Sequence, residues 1–199
     1  MRYAEASLSG EGGSSRREPV ISNSLLGVII FILTEMMFFI GLISAYSISK
    51  ANALEWPPLD QPRLPIGATA FNTVALLASG VAMFLTSKTF AREGFSRKSE
   101  QLFLFALGLG LFFVVFQGFE WARLLGFGLT MQSSTYGAFF YLIIGTHAVH
   151  AIGALFALGR LFFKMRNRTL RLASLHGGQA FWYFVVGVWP ILYVLVYLN

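Results

Sequence analysis

The strongest constraint on this chain is a set of five apolar segments, each long enough to cross a lipid bilayer. A transmembrane α-helix needs about 20 apolar residues, and backbone groups inside lipid must find their hydrogen bonds within the helix itself. The sequence therefore predicts an all-α, polytopic membrane protein, with a bundle of five transmembrane helices in residues 24–199. The predicted spans cover residues 25–48, 66–90, 102–125, 136–163 and 177–198.

The composition also indicates a membrane protein. Of the 199 residues, 56% are hydrophobic and 12% are charged, whereas a soluble domain has roughly 25% charged residues. The absence of cysteine excludes disulfides, zinc–thiolate sites, iron–sulfur clusters and thiol catalysis. The sequence contains no phosphate-binding glycine loop, nucleophile elbow or pair of catalytic carboxylates. We therefore assign no residue a catalytic role.

The segments outside the spans have distinct compositions. Residues 1–23 are rich in Ser, Gly, Glu and Arg without an apolar core, so we expect a flexible tail and not a cleaved signal peptide. Residues 50–65 contain four prolines, which predict a structured loop, and Pro190 is expected to bend the last span. Small residues are expected to let helices approach closely at Gly41, Ala45, Ala78, Ala82, Gly108, Gly145, Gly153 and Ala157.

The distribution of basic residues predicts how the chain is oriented in the membrane. The tail and the loops around residues 88–98 and 160–171 together carry twelve Lys and Arg residues. The opposite side carries only three, namely Lys50, Arg63 and Arg123. The positive-inside rule therefore places the N-terminus in the cytoplasm and the C-terminus outside.

Three ionisable side chains lie deep in the predicted bundle. Glu35 is about ten residues into the first span, and at 1.5 Å per residue this is near mid-depth. His147 lies at a similar depth in the fourth span, with His150 one turn away on the same face. We predict a hydrogen bond between neutral Glu35 and neutral His147, because desolvating two charges usually outweighs their attraction. His150 is expected to bond elsewhere. Glu35 is either a structural hydrogen-bond partner or a proton-handling site.

Glu120 lies near the outer end of the third span, where it is either solvated at the interface or bonded into the bundle. Asn72 and Thr73 in the second span are expected to form hydrogen bonds between helices. We expect no haem or metal in this chain. The third histidine, His176, lies at the predicted cytoplasmic end of the bundle, too far from the other two to join them as a ligand. An accessory subunit and a small transporter both fit these residues.

Six stretches in order along residues 25–198 resemble subunit III of the haem–copper oxidases, which include cytochrome c oxidase and its quinol-oxidase relatives. The resemblance implies the five-helix bacterial form of this family. The matching stretches are TEMMFFIGLISAY (34–46), WPP (56–58), FNTVALLASG (71–80), LGLGLFFVVFQGFEW (107–121), YGAFFYLIIGTHAVHAIGA (136–154) and FWYFVVGVW (181–189).

The resemblance also assigns expected roles to individual residues. Glu35 matches a buried glutamate that reacts with carbodiimides in relatives, and Glu120 matches the glutamate of a Q-A-x-E-Y segment. His147 and His150 match the two histidines of a G-x-H-G-x-H motif, in which alanine here replaces the middle glycine. The chain departs from the family pattern W-H-F-V-D-V-V-W in the last span. Tyr183 and Val186 stand where that pattern has histidine and aspartate.

By this resemblance, the chain is a non-redox accessory subunit in the bacterial plasma membrane. It would flank catalytic subunit I, which holds haem and copper, together with subunit II. The resemblance further implies bound phospholipid and support of proton uptake in a complex that reduces oxygen and pumps protons. Two alternatives remain, namely an accessory subunit of a nitric oxide reductase and an independent five-helix carrier. Nothing in the sequence predicts a nucleic-acid partner.

Overall fold

The computed structural model describes residues 23–58 and 64–198, and it consists of five long helices. Each helix is long and apolar enough to cross a membrane, so the predicted all-α membrane fold is confirmed. No strand occurs in the described residues. The helices are α1 (Asn23–Ala51), α2 (Ile66–Glu93), α3 (Arg97–Gly126), α4 (Thr135–Arg166) and α5 (Leu172–Leu192).

Helices α3 and α4 begin before their predicted spans, at serine residues that cap their first turns. Helix α3 begins five residues before its predicted span, where Ser96 and Ser99 form a reciprocal capping box. Such a box satisfies two backbone N–H groups that the first turn leaves free. Ser134 caps α4 by accepting a hydrogen bond from the Gly137 N–H. Most of the predicted tail, residues 1–22, lies outside the described residues.

Helix α5 packs at the centre of the bundle, in contact with α1, α2 and α4. The most extensive interface joins α2 and α3, which are connected by a short turn, and α4 packs against α3. Helix α1 packs mainly on α5 and, less extensively, on α4. As a result, α2 carries eleven buried residues, whereas Phe39 and Tyr46 are the only buried side chains among those described on α1.

The C-terminal end of the last span is irregular. Pro190 lies inside α5, and two residues after it the regular helix gives way to a π-helical turn, Tyr193–Tyr197. Proline lacks the N–H that would bond to the carbonyl four residues earlier, and π-turns are one form that such irregularity takes. The π-turn places Tyr197 in the core, and the bend expected at Pro190 stays a prediction.

The glycines that permit close helix packing differ from those predicted. A Cβ added at Gly41, Gly108, Gly145 or Gly153 would meet no atom within 4 Å, so the prediction was wrong at these positions. At Gly110, by contrast, a Cβ would lie 2.8 Å from atoms of Leu155 and Trp182. Residues 108 and 110 are about 200° apart around the helix axis, and composition alone does not reveal which of the two faces a neighbour.

Candidate functional site

Two indole groups of α5 donate hydrogen bonds to hydroxyl groups of α2 inside the bundle. The Trp189 Nε1–H donates to Thr73 Oγ1 at 2.9 Å, and the Trp182 Nε1–H donates to Ser79 Oγ at 3.2 Å. Ser79 in turn donates to the Ala106 carbonyl of α3 at 2.8 Å. All three helices are thus joined by buried polar contacts, which satisfy groups that would be costly to leave unpaired in an apolar interior.

A second buried network lies around Gln117 of α3. The Asn72 amide donates to the Phe113 carbonyl at 3.1 Å and to Gln117 Oε1 at 3.3 Å. The Gln117 amide donates to the Tyr197 hydroxyl at 2.9 Å. This network connects α2, α3 and the C-terminal π-turn. The prediction that Asn72 and Thr73 form interhelical hydrogen bonds is confirmed.

Glu35 of α1 contacts His150 of α4, with 2.9 Å between Oε2 and Nε2. Both side chains are mostly enclosed, with 19% and 15% of their surface exposed. The other ring nitrogen of His150, Nδ1, lies 2.8 Å from the Thr146 carbonyl oxygen. A carbonyl only accepts hydrogen bonds, so Nδ1 carries a proton.

That proton assignment leaves two protonation states for the contact. Either a protonated Glu35 donates to the bare Nε2 of neutral His150, or an imidazolium Nε2–H donates to the Glu35 carboxylate. In both states one proton is shared between the carboxyl group and Nε2. The pair is thus a single proton-holding unit that joins α1 to α4.

The predicted hydrogen bond between Glu35 and His147 was wrong, because Glu35 contacts His150 and the His147 ring lies in the core beside α5. Its imidazole lies 5.1 Å from the Trp189 ring and is 1% exposed. Positions three apart on a helix differ by about 60° around the axis and by about 4.5 Å along it. That rotation directs His150 towards α1 and leaves His147 in the core beside α5. The sequence did not resolve this rotation.

Glu120 of α3 is 4% exposed and lies 3.4 Å from Arg123 Nη1. Arg123 belongs to the same helix, one turn on, and its side chain is 56% exposed. The carboxyl group is therefore buried in the bundle, and its ion pair runs within α3 to a partner at the surface. Neither alternative from the sequence describes this arrangement completely.

Among the described residues, no group of three or more His, Cys, Asp or Glu side chains could hold a metal ion. His147 and His150 turn to different neighbours, and His176 is exposed near the start of α5. The described part of the chain therefore brings no two histidines together as ligands.

The two departures from the family pattern also have defined surroundings. The Tyr183 hydroxyl accepts a hydrogen bond from the Gln179 amide at 2.6 Å, one turn earlier on α5. Val186 is buried against Gly80 of α2, where an added Cβ would lie 3.2 Å from Val186 Cγ1. An apolar contact thus occupies the position where the family pattern has an aspartate.

Sequence reasoning did not single out Trp182, Trp189, Gln117 or Tyr197 as members of the polar core. The spacing of seven residues between the two tryptophans was an available signal, since residues seven apart lie on one helix face. An indole buried inside a membrane-spanning bundle requires a hydrogen-bond acceptor, and the hydroxyl groups of α2 provide it.

A groove between α1, α4 and α5 has both apolar and cationic residues in its walls. Its volume is about 620 Å³. The Phe31 and Phe181 rings lie on its apolar wall, while Arg160 and Lys164 line its charged end. Arg160 also lies over the Phe156 ring at 4.4 Å. We call this feature the cationic groove.

The five membrane-spanning helices, joined internally by buried hydrogen bonds, define a multi-pass helical membrane protein. Comparison with protein families gives a match to Cytochrome c oxidase subunit III over residues 4–199. The chain belongs to the cytochrome c oxidase subunit III family.

Individual relatives agree with this family membership. The chain is 32% identical over 179 residues to the Probable cytochrome c oxidase subunit 3 of Nocardia farcinica, a match that covers 86% of each protein. It is 29% identical over 184 residues to the corresponding Mycobacterium leprae protein, again with 86% of each covered. The Cytochrome c oxidase subunit 3 of Drosophila yakuba is 32% identical over 180 residues, which are 86% of this chain and 67% of the relative.

Proposed function

We propose that this chain is a non-redox accessory subunit of a respiratory cytochrome c oxidase in a bacterial plasma membrane. The observation that carries the proposal is the family match over residues 4–199. The absence of a three-ligand cluster among the described residues supports placing haem and copper in partner subunits. In this proposal, oxygen reduction and proton pumping belong to the whole complex.

The proposed partners are the catalytic haem–copper subunit I and subunit II. The extensive apolar surface of α1, including Met37 at 75% exposure, supports a chain that is completed by lipid and by other subunits. The test is to tag this chain, extract it in mild detergent and examine what purifies with it. We expect stoichiometric haem absorbance and oxygen consumption. A monodisperse monomer that accumulates normally without subunit I would instead favour an independent carrier.

The cationic groove is the proposed phospholipid site. Its apolar wall suits acyl chains, and the charges of Arg160 and Lys164 suit an anionic headgroup. Native mass spectrometry of the purified complex provides the test. The double substitution Arg160→Ala/Lys164→Ala should remove bound anionic phospholipid, whereas Arg166→Ala/Arg168→Ala at the same end of α4 should retain it. Equal lipid occupancy in both variants would reject this site.

The Glu35–His150 pair supports a role in proton uptake, because it holds one shared proton within the membrane-spanning region. Support of proton uptake predicts that removing this chain lowers oxygen consumption more at high pH, where protons are scarcer. The measurement is oxygen consumption against pH for complexes with and without the chain. A constant fractional loss at every pH would contradict the proposed role.

The proposed topology places the N-terminus in the cytoplasm and the C-terminus outside. The unequal distribution of Lys and Arg between the two sides supports it. A reporter enzyme that works only outside the cytoplasm should be active when it is fused after Asn199. Activity of a cytoplasm-specific reporter at this position would overturn the orientation.

A further inference from the structure

A second pocket with basic side chains lies at the turn between α2 and α3, where both helices reach the end of their apolar stretch. Its volume is about 320 Å³, at the low end of the range for ligand pockets. Lys88 and Arg92 come from the last two turns of α2, and Lys98 comes from the first turn of α3. We call this feature the α2–α3 pocket. It shares no lining residue with the cationic groove.

The positive charge of this pocket is not balanced within the part of the chain that the structure describes. Three cationic side chains and one acidic side chain, Glu93, line it. None of the three cations forms an ion pair with a carboxylate of the described residues. Lys88 and Arg92 are four residues apart, so they project from one face of α2 on successive turns. The lining therefore has an excess of positive charge that suits an anionic ligand.

The hydroxyl group of Thr89 is a further hydrogen-bond donor in the wall of the pocket. The other threonines of α2 donate to backbone carbonyls four residues earlier, as Thr86 does to Ala82 at 2.8 Å. Thr89 makes no such hydrogen bond to any described residue, although it is half-buried. Phosphate oxygens accept from hydroxyl, ammonium and guanidinium groups alike. The pocket thus provides both the charge and a free donor for a phosphate group.

The side of the pocket nearer the middle of the membrane is apolar. Leu85 of α2 and Leu102 of α3 line it there. Phe105 lies three residues beyond Leu102 on the same face of α3 and is 59% exposed. Phe105 also lines a shallow apolar groove along α3, of about 410 Å³, whose wall includes Gly108. A ligand with an anionic head and an apolar chain matches this succession of surfaces.

We propose that the α2–α3 pocket binds the phosphodiester headgroup of an anionic phospholipid, with an acyl chain in the groove beside Gly108. Basic pockets between membrane-spanning helices suit anionic headgroups. A free phosphate would use the charges and leave the adjoining apolar surface unused. A zwitterionic headgroup has no net charge to balance the basic side chains. This lipid site is separate from the cationic groove and does not depend on which partners the chain has.

The charged part of the site is tested by native mass spectrometry of the chain, purified in mild detergent with any native partners it retains. Phosphatidylglycerol and phosphatidylethanolamine are added in separate titrations. Lys88→Gln/Lys98→Gln should weaken phosphatidylglycerol binding roughly 30-fold, because each basic side chain near a membrane surface contributes about fivefold. Arg166→Gln/Arg168→Gln removes the same charge at exposed positions of the next basic loop and should leave that affinity unchanged. Equal affinities in the two variants, or equal binding of the two lipids by the unmodified chain, would overturn the proposal.

The cationic groove must not contribute to this measurement. Every sample in these titrations therefore also carries Arg160→Ala/Lys164→Ala, which removes the two basic side chains of that groove. The phosphatidylglycerol that remains bound should still be lost on Lys88→Gln/Lys98→Gln. If no phosphatidylglycerol remains bound in this background, the cationic groove accounts for all of it and the second site is rejected.

The apolar part of the site is tested by filling the groove. A Cβ added at Gly108 meets no atom within 4 Å, so Gly108→Leu fits the fold and occupies the space proposed for the acyl chain. It should weaken phosphatidylglycerol binding several-fold. Gly153→Leu on α4 is the matched control, because its Cβ also meets no atom within 4 Å, and it should bind as the unmodified chain does. Equal binding in the two variants, or displacement of phosphatidylglycerol by excess inorganic phosphate, would show a site for phosphate alone and reject the lipid.

Discussion

The interior formed by α2, α3 and α5 differs from the attachment of α1 in how its helices are held together. The interior is joined by buried donors and acceptors, including the Trp182–Ser79 and Trp189–Thr73 hydrogen bonds. Helix α1 lies outside that network. Among the hydrogen bonds described, one joins α1 to α4, and it is formed by Glu35 and His150. Most of its remaining surface is exposed and apolar.

This difference follows from what stabilises helix contacts in lipid. Apolar surface alone gives little drive for association there, since lipid tails are as apolar as leucine; close packing and interhelical hydrogen bonds supply it. The interior has both, whereas the Glu35–His150 pair is the one hydrogen bond described between α1 and another helix, and few side chains described on α1 are buried. Substitutions should therefore be more damaging in the interior than on α1.

The largest expected effect is for Trp182→Ala. This side chain is fully buried, donates to Ser79 and packs against Gly110. The substitution creates a cavity and leaves a hydroxyl acceptor unused, at a cost of about 3–5 kcal/mol in the free energy of unfolding. The measurement is an SDS titration of the chain in mixed micelles. If Trp182→Ala lowered the unfolding free energy by less than a surface variant does, the proposed difference between the interior and α1 would be contradicted.

The next effect compares two glycines on α3. Gly110→Ala places a methyl group 2.8 Å from atoms of Trp182 and Leu155, and such overpacking costs about 1–3 kcal/mol. Gly108→Ala, with no atom within 4 Å of the new Cβ, should be neutral or stabilising because alanine favours the helix. Equal losses of unfolding free energy for the two variants in the same SDS titration would show that Gly110 is not required for the close approach of α3 to Trp182.

A smaller effect is expected at the α1–α4 contact. Glu35→Gln retains a hydrogen-bonding group and should cost roughly 0.6 kcal/mol, the average for such contacts in membrane proteins. Glu35→Ala leaves Nε2 of His150 without its partner and should cost more. In both variants the assembled complex should still reduce oxygen, because the chemistry is proposed to reside in another subunit. Complete loss of oxygen reduction in an assembled Glu35→Gln complex would place this carboxyl group in the mechanism.

The smallest effect is expected for Met37→Ala. With three-quarters of its surface exposed, this side chain buries little in the chain itself, so the change in unfolding free energy should stay within about 0.5 kcal/mol. The SDS titration that measures Trp182→Ala measures this variant as well. A loss of several kcal/mol would show that α1 is packed as tightly as the interior.

The features predicted correctly from the sequence are those that depend on hydrophobicity and depth. Span length determined the number of helices, and the depth of Asn72 and Thr73 in α2 indicated interhelical bonding, as found. Caps such as Ser96 lie outside the apolar stretch and shifted the helix ends. These corrections changed boundaries without changing the fold.

The features that were missed depend on rotation about the helix axis. Apolar residues surround the spans on all sides, so the sequence contains no polar face that reveals which side points inward. His147 and His150, or Gly108 and Gly110, differ by a fraction of a turn and have different neighbours. The indole donors of α5 were missed for the same reason, because their acceptors on α2 become evident only once the two helices are placed together.

The most direct test of the division between α1 and the interior is a pair of double-mutant cycles at Glu35. One cycle combines Glu35→Ala with His150→Ala, the other combines it with His147→Ala, and both are measured as unfolding free energies in mixed micelles. A Glu35–His150 contact predicts a coupling of about 0.6 kcal/mol in the first cycle, as is typical in membranes, and none in the second. Coupling of Glu35 to His147 that equals or exceeds its coupling to His150 would contradict the account.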